Sequence, residues 1–164
     1  MVWKRWGKID WHMNLGQEHS DVARINGSNR SAVRVGDDTY LVLLEAVRFN
    51  QLTSGAFDIT VWPLVQLWQE GTRKNEVPSE ETVARARKNV GTRNIRLLKD
   101  SHVKILNKDT GLYLDGIATG YAIDEAARIL RKYGFVNFLV DAGSTIYAAG
   151  VDCNGEPWRV PVKD

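Results

Sequence analysis

The 164-residue chain has 43% apolar and 26% charged residues, the balance of one ordinary globular domain and not of a disordered or fibrous chain. At this length a chain buries roughly 70% of its unfolded surface, so the core needs no staple, and a single cysteine, Cys153, offers neither an intrachain disulfide nor a Cys-based zinc site. Lys and Arg number 22 against 20 Asp and Glu, too even a balance for a protein that grips nucleic acid along its length. No apolar run approaches the roughly 20 residues that span a bilayer. Met1–Lys8 is basic with no apolar stretch behind it, so the chain reads as soluble without an export signal, and its compartment is left open.

In chain order, Trp3, Trp6 and Trp11 sit among Lys4, Arg5 and Lys8. That pattern reads as a strand whose tryptophans pack on the core, with a membrane-surface or stacking role as the alternative. Asn26-Gly-Ser and Asn29-Arg-Ser fit the glycosylation pattern but mainly signal a polar surface loop. Asp37 and Asp38 predict the N-terminal caps of a helix running to about Thr53, with Gly55 past its end. Its polar stripe of Asp38, Glu45, Arg48 and Gln51 is narrow, which predicts burial on most sides. A short helix follows over 61–68 with Pro63 in its first turn, then a polar loop. Pro78-Ser-Glu-Glu opens a helix to about Asn89, acidic early and basic late. Three short strands are predicted near 94–98, 102–106 and 112–114, with Asp109-Thr-Gly as a turn. An amphipathic helix spans about Ala118 to Tyr133. Strands near 136–140 and 146–149 bracket Asp141-Ala-Gly-Ser-Thr, and a last strand is expected at Trp158–Val162. The fold class is α+β, a mainly antiparallel sheet with packed helices, treated as one domain over 1–164. The sequence stops two residues after that last strand, which suggests a piece of a larger unit.

Three stretches depart from core-and-surface grammar. In Ser54-Gly-Ala-Phe-Asp, Gly55 permits a left-handed turn, Ala56 allows close approach, Phe57 offers a ring, and Asp58 accepts from ribose hydroxyls or an exocyclic amine. The set could hold a nucleotide; it equally forms a helix C-cap with a core Phe and a turn Asp. In Leu114-Asp-Gly-Ile-Ala-Thr-Gly-Tyr-Ala, a strand runs through glycines into a helix start, whose free N–H groups attract phosphate. Thr119 offers a hydroxyl there, and Asp115 could help hold a divalent cation. The alternative is Asp115 as a cap and Gly120 as a packing contact. No Walker loop or dinucleotide fingerprint is present. Asp141-Ala-Gly-Ser-Thr either borders a cofactor or makes a hairpin turn. His12, His19 and His102 show no metal spacing.

Together these segments resemble the FAD:protein FMN transferases, the ApbE-like proteins once labelled thiamine biosynthesis lipoproteins. The family's Ser-Gly-Gly-Ala-Phe-Asp-Pro-Thr-Val-Gly-Pro-Leu is echoed by Thr53-Ser-Gly-Ala-Phe-Asp-Ile-Thr-Val-Trp-Pro-Leu. Its Leu-Gly-Gly-Ile-Ala-Lys-Gly-Tyr-Ala-Val-Asp is echoed by Leu114-Asp-Gly-Ile-Ala-Thr-Gly-Tyr-Ala-Ile-Asp. Its Asn-Leu-Gly-Gly-Asp-Ile is echoed more loosely by Asp141-Ala-Gly-Ser-Thr-Ile, and Ser20-Asp-Val-Ala-Arg-Ile-Asn and Pro157-Trp-Arg-Val also fit. The resemblance implies a T-fold type of α+β structure. It implies FAD bound by Ala56, Phe57 and Asp58, with Thr119 at the position of a phosphate-contacting Lys and Gly116 giving a backbone oxygen to Mg2+; Asp115, where the family often has Gly or Ser, is counted with the cofactor-binding residues as a partial replacement for the ligands not matched. It further implies magnesium-dependent transfer of FMN to a threonine of an acceptor protein, leaving AMP. The alternatives are a non-catalytic FAD-binding module and a structural or partner-binding domain. The family's first Asp in the second motif is Tyr113 here, its Lys is Thr119, the Asp of its Gly-Gly-Asp is Thr145, and an early aromatic falls at Gly16. The family's N-terminal Met-Gly-Thr and its C-terminal part, with the Asp and Thr magnesium ligands, are not matched. A missing half would expose an apolar face and favour self-association into a homo-oligomer.

Overall fold

The computed structural model describes residues 1–143 and 145–161. The chain divides into two compact units. One is Ile9–Ile117; the other joins Met1–Lys8 to the chain from Ala118 onward. The elements run α1 (Val2–Met13), α2 (Asp21–Asn26), β1 (Val33–Arg34), α3 (Asp37–Leu52), α4 (Trp62–Lys74), α5 (Glu80–Arg87), β2 (Ile95–Leu98), β3 (His102–Ile105), α6 (Asp115–Lys132), β4 (Phe138–Asp141) and β5 (Ile146–Ala149). Every strand pair is antiparallel, so the predicted α+β class with antiparallel pairing holds.

The N-terminal segment is a helix, not the expected strand. Val2, Trp6, Ile9 and Met13 recur at helical spacing; Ile9 and Met13 are buried, while Val2 and Trp6 pack on the core of their unit. The tryptophans do not all go inside. Trp3 is 78% and Trp11 53% exposed, because they fall between the positions of the inward stripe.

In the larger unit a three-stranded sheet has the order β1-β3-β2. Val33 pairs with Val103, and Ile95 with Ile105. Val103, Ile95 and Ile105 point into a core with Val22, Ile25, Val42, Leu43 and Ile59. Helix α3 follows its predicted span, but Gly36 is its cap and Asp37 and Asp38 fill the first turn, where carboxylates suit the dipole. It is not buried on most sides. Thr39, Val42, Leu43 and Ala46 are covered, whereas Leu41, Leu44, Phe49 and Leu52 are 44–67% exposed. Helix α4 outruns its prediction, reaching Lys74 and stopping at left-handed Asn75. Ser79 caps α5 through its hydroxyl.

The strand expected at 112–114 does not form. The side chain of Asn26, at the end of α2, takes both backbone groups of Leu112. Its Nδ2 donates to the Leu112 carbonyl (3.0 Å) and its Oδ1 accepts from the Leu112 N–H (2.7 Å). The Tyr113 N–H donates to the Ile59 carbonyl at 2.8 Å. A side chain and a loop stand where a partner strand would. This use also explains why Asn26 is half-buried and not a free loop residue.

In the smaller unit, Ile123, Ala126 and Ala127 of α6 pack on Phe138 and Val140 of the β4–β5 hairpin. Phe138 stacks on Tyr147 at 6.0 Å. The Trp6 indole donates to the Ala122 carbonyl (2.7 Å), and Arg5 pairs with Glu125 (2.7 Å). Hydrogen bonds from Arg128, and then from Arg5, hold the Glu125 carboxyl below the usual glutamate range. Residues 158–161 are not in a strand; the Trp158 indole donates to the Ala149 carbonyl at 3.0 Å instead. Val162, the end of that expected strand, lies outside the described residues. No helix among the described residues is long and apolar enough to cross a membrane.

Removing the Asn26 amide strands a buried N–H and C=O. Asn26→Ala is therefore expected to cost about 2 kcal/mol, read as a lower urea midpoint; an unchanged midpoint contradicts the clamp. Because the Glu125 pKa is lowered on folding, its contribution is present in full at neutral pH and is lost as pH falls through the folded value. The stability gap between wild type and Glu125→Gln should be measurable by denaturation at neutral pH and vanish in strong acid.

Candidate functional site

The first of the segments singled out in the sequence and the beginning of the second, Leu114 to Ile117, meet in the larger unit. The first begins where α3 ends. Thr53 closes the helix, its hydroxyl donating to the Phe49 carbonyl (2.8 Å) and accepting from the Phe57 N–H (3.0 Å). Ser54 and Gly55 both take positive φ (51° and 84°), a reversal that glycine makes without strain. Ala56 is then exposed and Phe57 half-buried, with the Phe57 ring edge-on to Phe49 at 6.3 Å.

The second segment starts α6. The helix begins at Asp115, three residues earlier than the periodicity predicts, so Asp115 and Gly116 are its first exposed residues. A Cβ on Gly116 would stand 3.2 Å from Cε2 of Phe57. The glycine lets the aromatic ring sit against the helix start, and any larger side chain must move the ring. Thr119 lies one turn further along α6 and is half-buried.

Asp58 faces inward. Its Oδ1 accepts from the N–H (2.8 Å) and hydroxyl of Thr60, and its Oδ2 from the Asn50 amide (3.1 Å). The third segment is the β4–β5 turn: the Asp141 carboxylate accepts from the Gly143 N–H (2.7 Å), and the Ala142 N–H donates to the Thr145 carbonyl (3.0 Å). Ser144 lies outside the described residues.

Two features escape sequence reading. Trp62 stacks on Tyr113 with centroids 5.7 Å apart and planes 19° apart, over Gly111, where any side chain would strike the indole. Tyr113 then edges an open, largely apolar groove of about 680 Å³ lined by Val61, Leu64, Val65 and Trp68. Its hydrogen bond to the Asp115 carboxylate, with partial burial behind it, raises the phenol pKa. The Asn50 amide is the other feature; its single sequence signal is a polar residue one turn before a glycine-marked helix end.

These residues offer an aromatic edge, a small exposed neighbour, the start of a helix and one exposed carboxylate. That combination fits a planar ring with a phosphate attached. A metal is fitted less well. Among the described residues no three His, Cys, Asp or Glu side chains cluster, so Asp115 and the Gly116 carbonyl do not make a magnesium site by themselves.

The family model described as the ApbE family matches residues 1–164, and this chain belongs to that family. It is 33% identical over 162 residues to the FAD:protein FMN transferase of Vibrio cholerae, covering 95% of this chain and 47% of that protein. It is 31% identical over 162 residues to that of Haemophilus influenzae, covering 94% and 47%. Among solved structures, the flavin transferase ApbE of Vibrio cholerae superposes with a TM-score of 0.87 at 28% identity, over 98% of this chain and 53% of that one. The ApbE protein of Thermotoga maritima gives 0.88 at 31%, over 99% and 54%. The chain spans about half the length of the relatives it matches.

A carboxylate that accepts a hydrogen bond from the phenol O–H opposes formation of phenolate. In an ultraviolet titration, Asp115→Asn should therefore bring one tyrosine down toward the ordinary range, and Tyr113→Phe should delete that late transition. Identical curves for all three proteins contradict the pairing.

Proposed function

We propose that this chain is the flavin-handling part of an FMN transferase. It holds FAD on the surface made by Ala56, Phe57 and the start of α6, with Asp58 shaping that surface from behind. In the full-length protein the FMN group passes to a threonine hydroxyl of an acceptor protein: the threonine oxygen bonds to the FMN phosphorus, the pyrophosphate link breaks, and AMP leaves. The observation that carries the proposal is the contact of the Phe57 ring with Gly116, which joins two distant segments into one surface. The names of the relatives support it as well.

Each residue has a task that its chemistry suits. The Phe57 ring offers an apolar edge to a planar ligand. The N–H groups opening α6 and the dipole of its 18 residues attract phosphate. Thr119 stands at the family's Lys position, and a hydroxyl hydrogen-bonds phosphate more weakly than a charged lysine does. Magnesium is part of the proposal for the full-length protein. This chain would give the Gly116 carbonyl and Asp115, and the remaining ligands would come from beyond the described residues. The absence of a three-residue ligand cluster among those residues, together with Thr119 and Tyr113 at the family's Lys and Asp positions, favours one second reading: a module that retains FAD without transferring it.

One experiment separates these. The purified chain is incubated with FAD, magnesium and a threonine-bearing acceptor, and bound flavin and covalent acceptor flavin are recorded. Covalent flavin identifies the transferase, retention alone the module, and neither leaves a structural or partner-binding domain. Gly116→Val should weaken retention roughly tenfold, about 1.4 kcal/mol, by displacing the Phe57 ring. Asp115→Ala should weaken only the magnesium-dependent part, and unchanged retention removes Asp115 from the site.

A further inference from the structure

Asn50, in the last turn of α3, has its amide fully used. Its Nδ2 donates to the Phe57 carbonyl (2.7 Å) and to Asp58 Oδ2 (3.1 Å), while its Oδ1 accepts from the Thr92 hydroxyl (3.0 Å). On the other side of Asp58, the Thr60 hydroxyl donates to Oδ1 and accepts from the Gly91 N–H (2.6 Å). Thr60 is completely buried, and Gly91 takes φ of 140°. The Phe57–Asp58 corner is thus tied at both ends to the Gly91–Thr92 bend. The polarity of the tie is fixed: two acceptors face Nδ2 and one donor faces Oδ1, so only a neutral amide satisfies all three partners. Asp58 is the one carboxylate hydrogen-bonded in this network, and the Arg93 guanidinium lies against Gly91.

We infer that Asn50 is the positioning residue of the candidate flavin site, setting the Phe57 ring against Gly116 by holding the Phe57 carbonyl and the Asp58 carboxylate together. The inference rests on the flavin reading for its functional consequence. Without the amide, the Phe57 carbonyl and Asp58 lose their common donor, the corner opens, and the ring leaves the start of α6. The role belongs to the amide group and not to side-chain bulk, which distinguishes it from packing.

The test uses Asn50→Leu and the isosteric Asn50→Asp, with FAD retention measured by flavin fluorescence and folding checked by urea denaturation. Asn50→Leu should lower retention at least roughly tenfold, about 1.4 kcal/mol, at every pH. Asn50→Asp sets a second carboxylate against Asp58. Two such groups in contact share one proton, because both cannot ionise cheaply. A shared proton restores the missing donor, so retention by Asn50→Asp, taken as a ratio to wild type, should rise as pH falls from neutral to mildly acid. The Leu variant should show no such recovery. Retention by Asn50→Leu within about twofold of wild type, or a flat ratio for Asn50→Asp, overturns the inference. If the wild-type chain retains no FAD, the proposed function fails and the positioning claim is read from hydrogen exchange. The Thr60 and Gly91 amides should then exchange at least roughly tenfold faster in Asn50→Leu while the β2–β3 ladder is unchanged. Unchanged exchange at both amides overturns it.

Discussion

Every buried backbone N–H and C=O must find a partner, and in this chain regular strands supply few of them. The strands of both sheets are two to four residues long. The segments that carry the motifs lie outside those ladders. Buried or half-buried polar side chains take the place of neighbouring strands. Asp21, 3% exposed, accepts from the Gly36 N–H, the Thr39 hydroxyl and Arg24, and lies 3.3 Å from His12. Asn26 holds Leu112, and Asn50 holds Phe57. Among the described residues no buried side-chain nitrogen or oxygen lacks a partner. An unmade bond at any of these points costs on the order of 1–3 kcal/mol, so the loops are as strongly specified as the sheet.

That constraint decides which groups are left for chemistry. A carboxylate that already accepts from Thr60 and Asn50 has little capacity to read a ligand. Asp58 therefore ties the corner after α3 to its neighbours in the fold. The surface that remains is a ring edge, an exposed alanine and the opening turn of α6. Tyr113 and Asp115 form a second polar pair beside it, raising the phenol and placing an exposed carboxylate at the helix start. The wall beyond Tyr113 is apolar and backed by the Trp62 stack. Among the described residues these groups do not bring three His, Cys, Asp or Glu side chains together.

Where sequence patterning misled, the reason was geometric. Tryptophan content suggested a buried strand at the N-terminus, but the Val2, Trp6, Ile9, Met13 spacing was the stronger signal, because helical periodicity decides which indole turns inward. The hydrophobicity of α3 states how much surface the helix would bury, not how much the described residues cover. Leu41, Leu44 and Leu52 stay exposed. Leu112–Leu114 has strand-like composition, but composition does not say whether a strand or the Asn26 amide supplies its hydrogen bonds.

By itself the sequence determined the α+β class, the spans of α3 and α5, and the β2–β3 and β4–β5 hairpins, and it singled out the two segments that meet at the candidate site. Each of these is set by local periodicity, caps and turn residues, which act within a few positions. It also carried the family, through motifs kept in order along the chain. Tertiary structure alone decided that Phe57 rests on Gly116, that Asp58 turns inward, and that Asn50, Thr60 and Gly91 belong to one network. These partners lie up to some sixty residues apart, and no local preference encodes which distant backbone group a buried amide will satisfy.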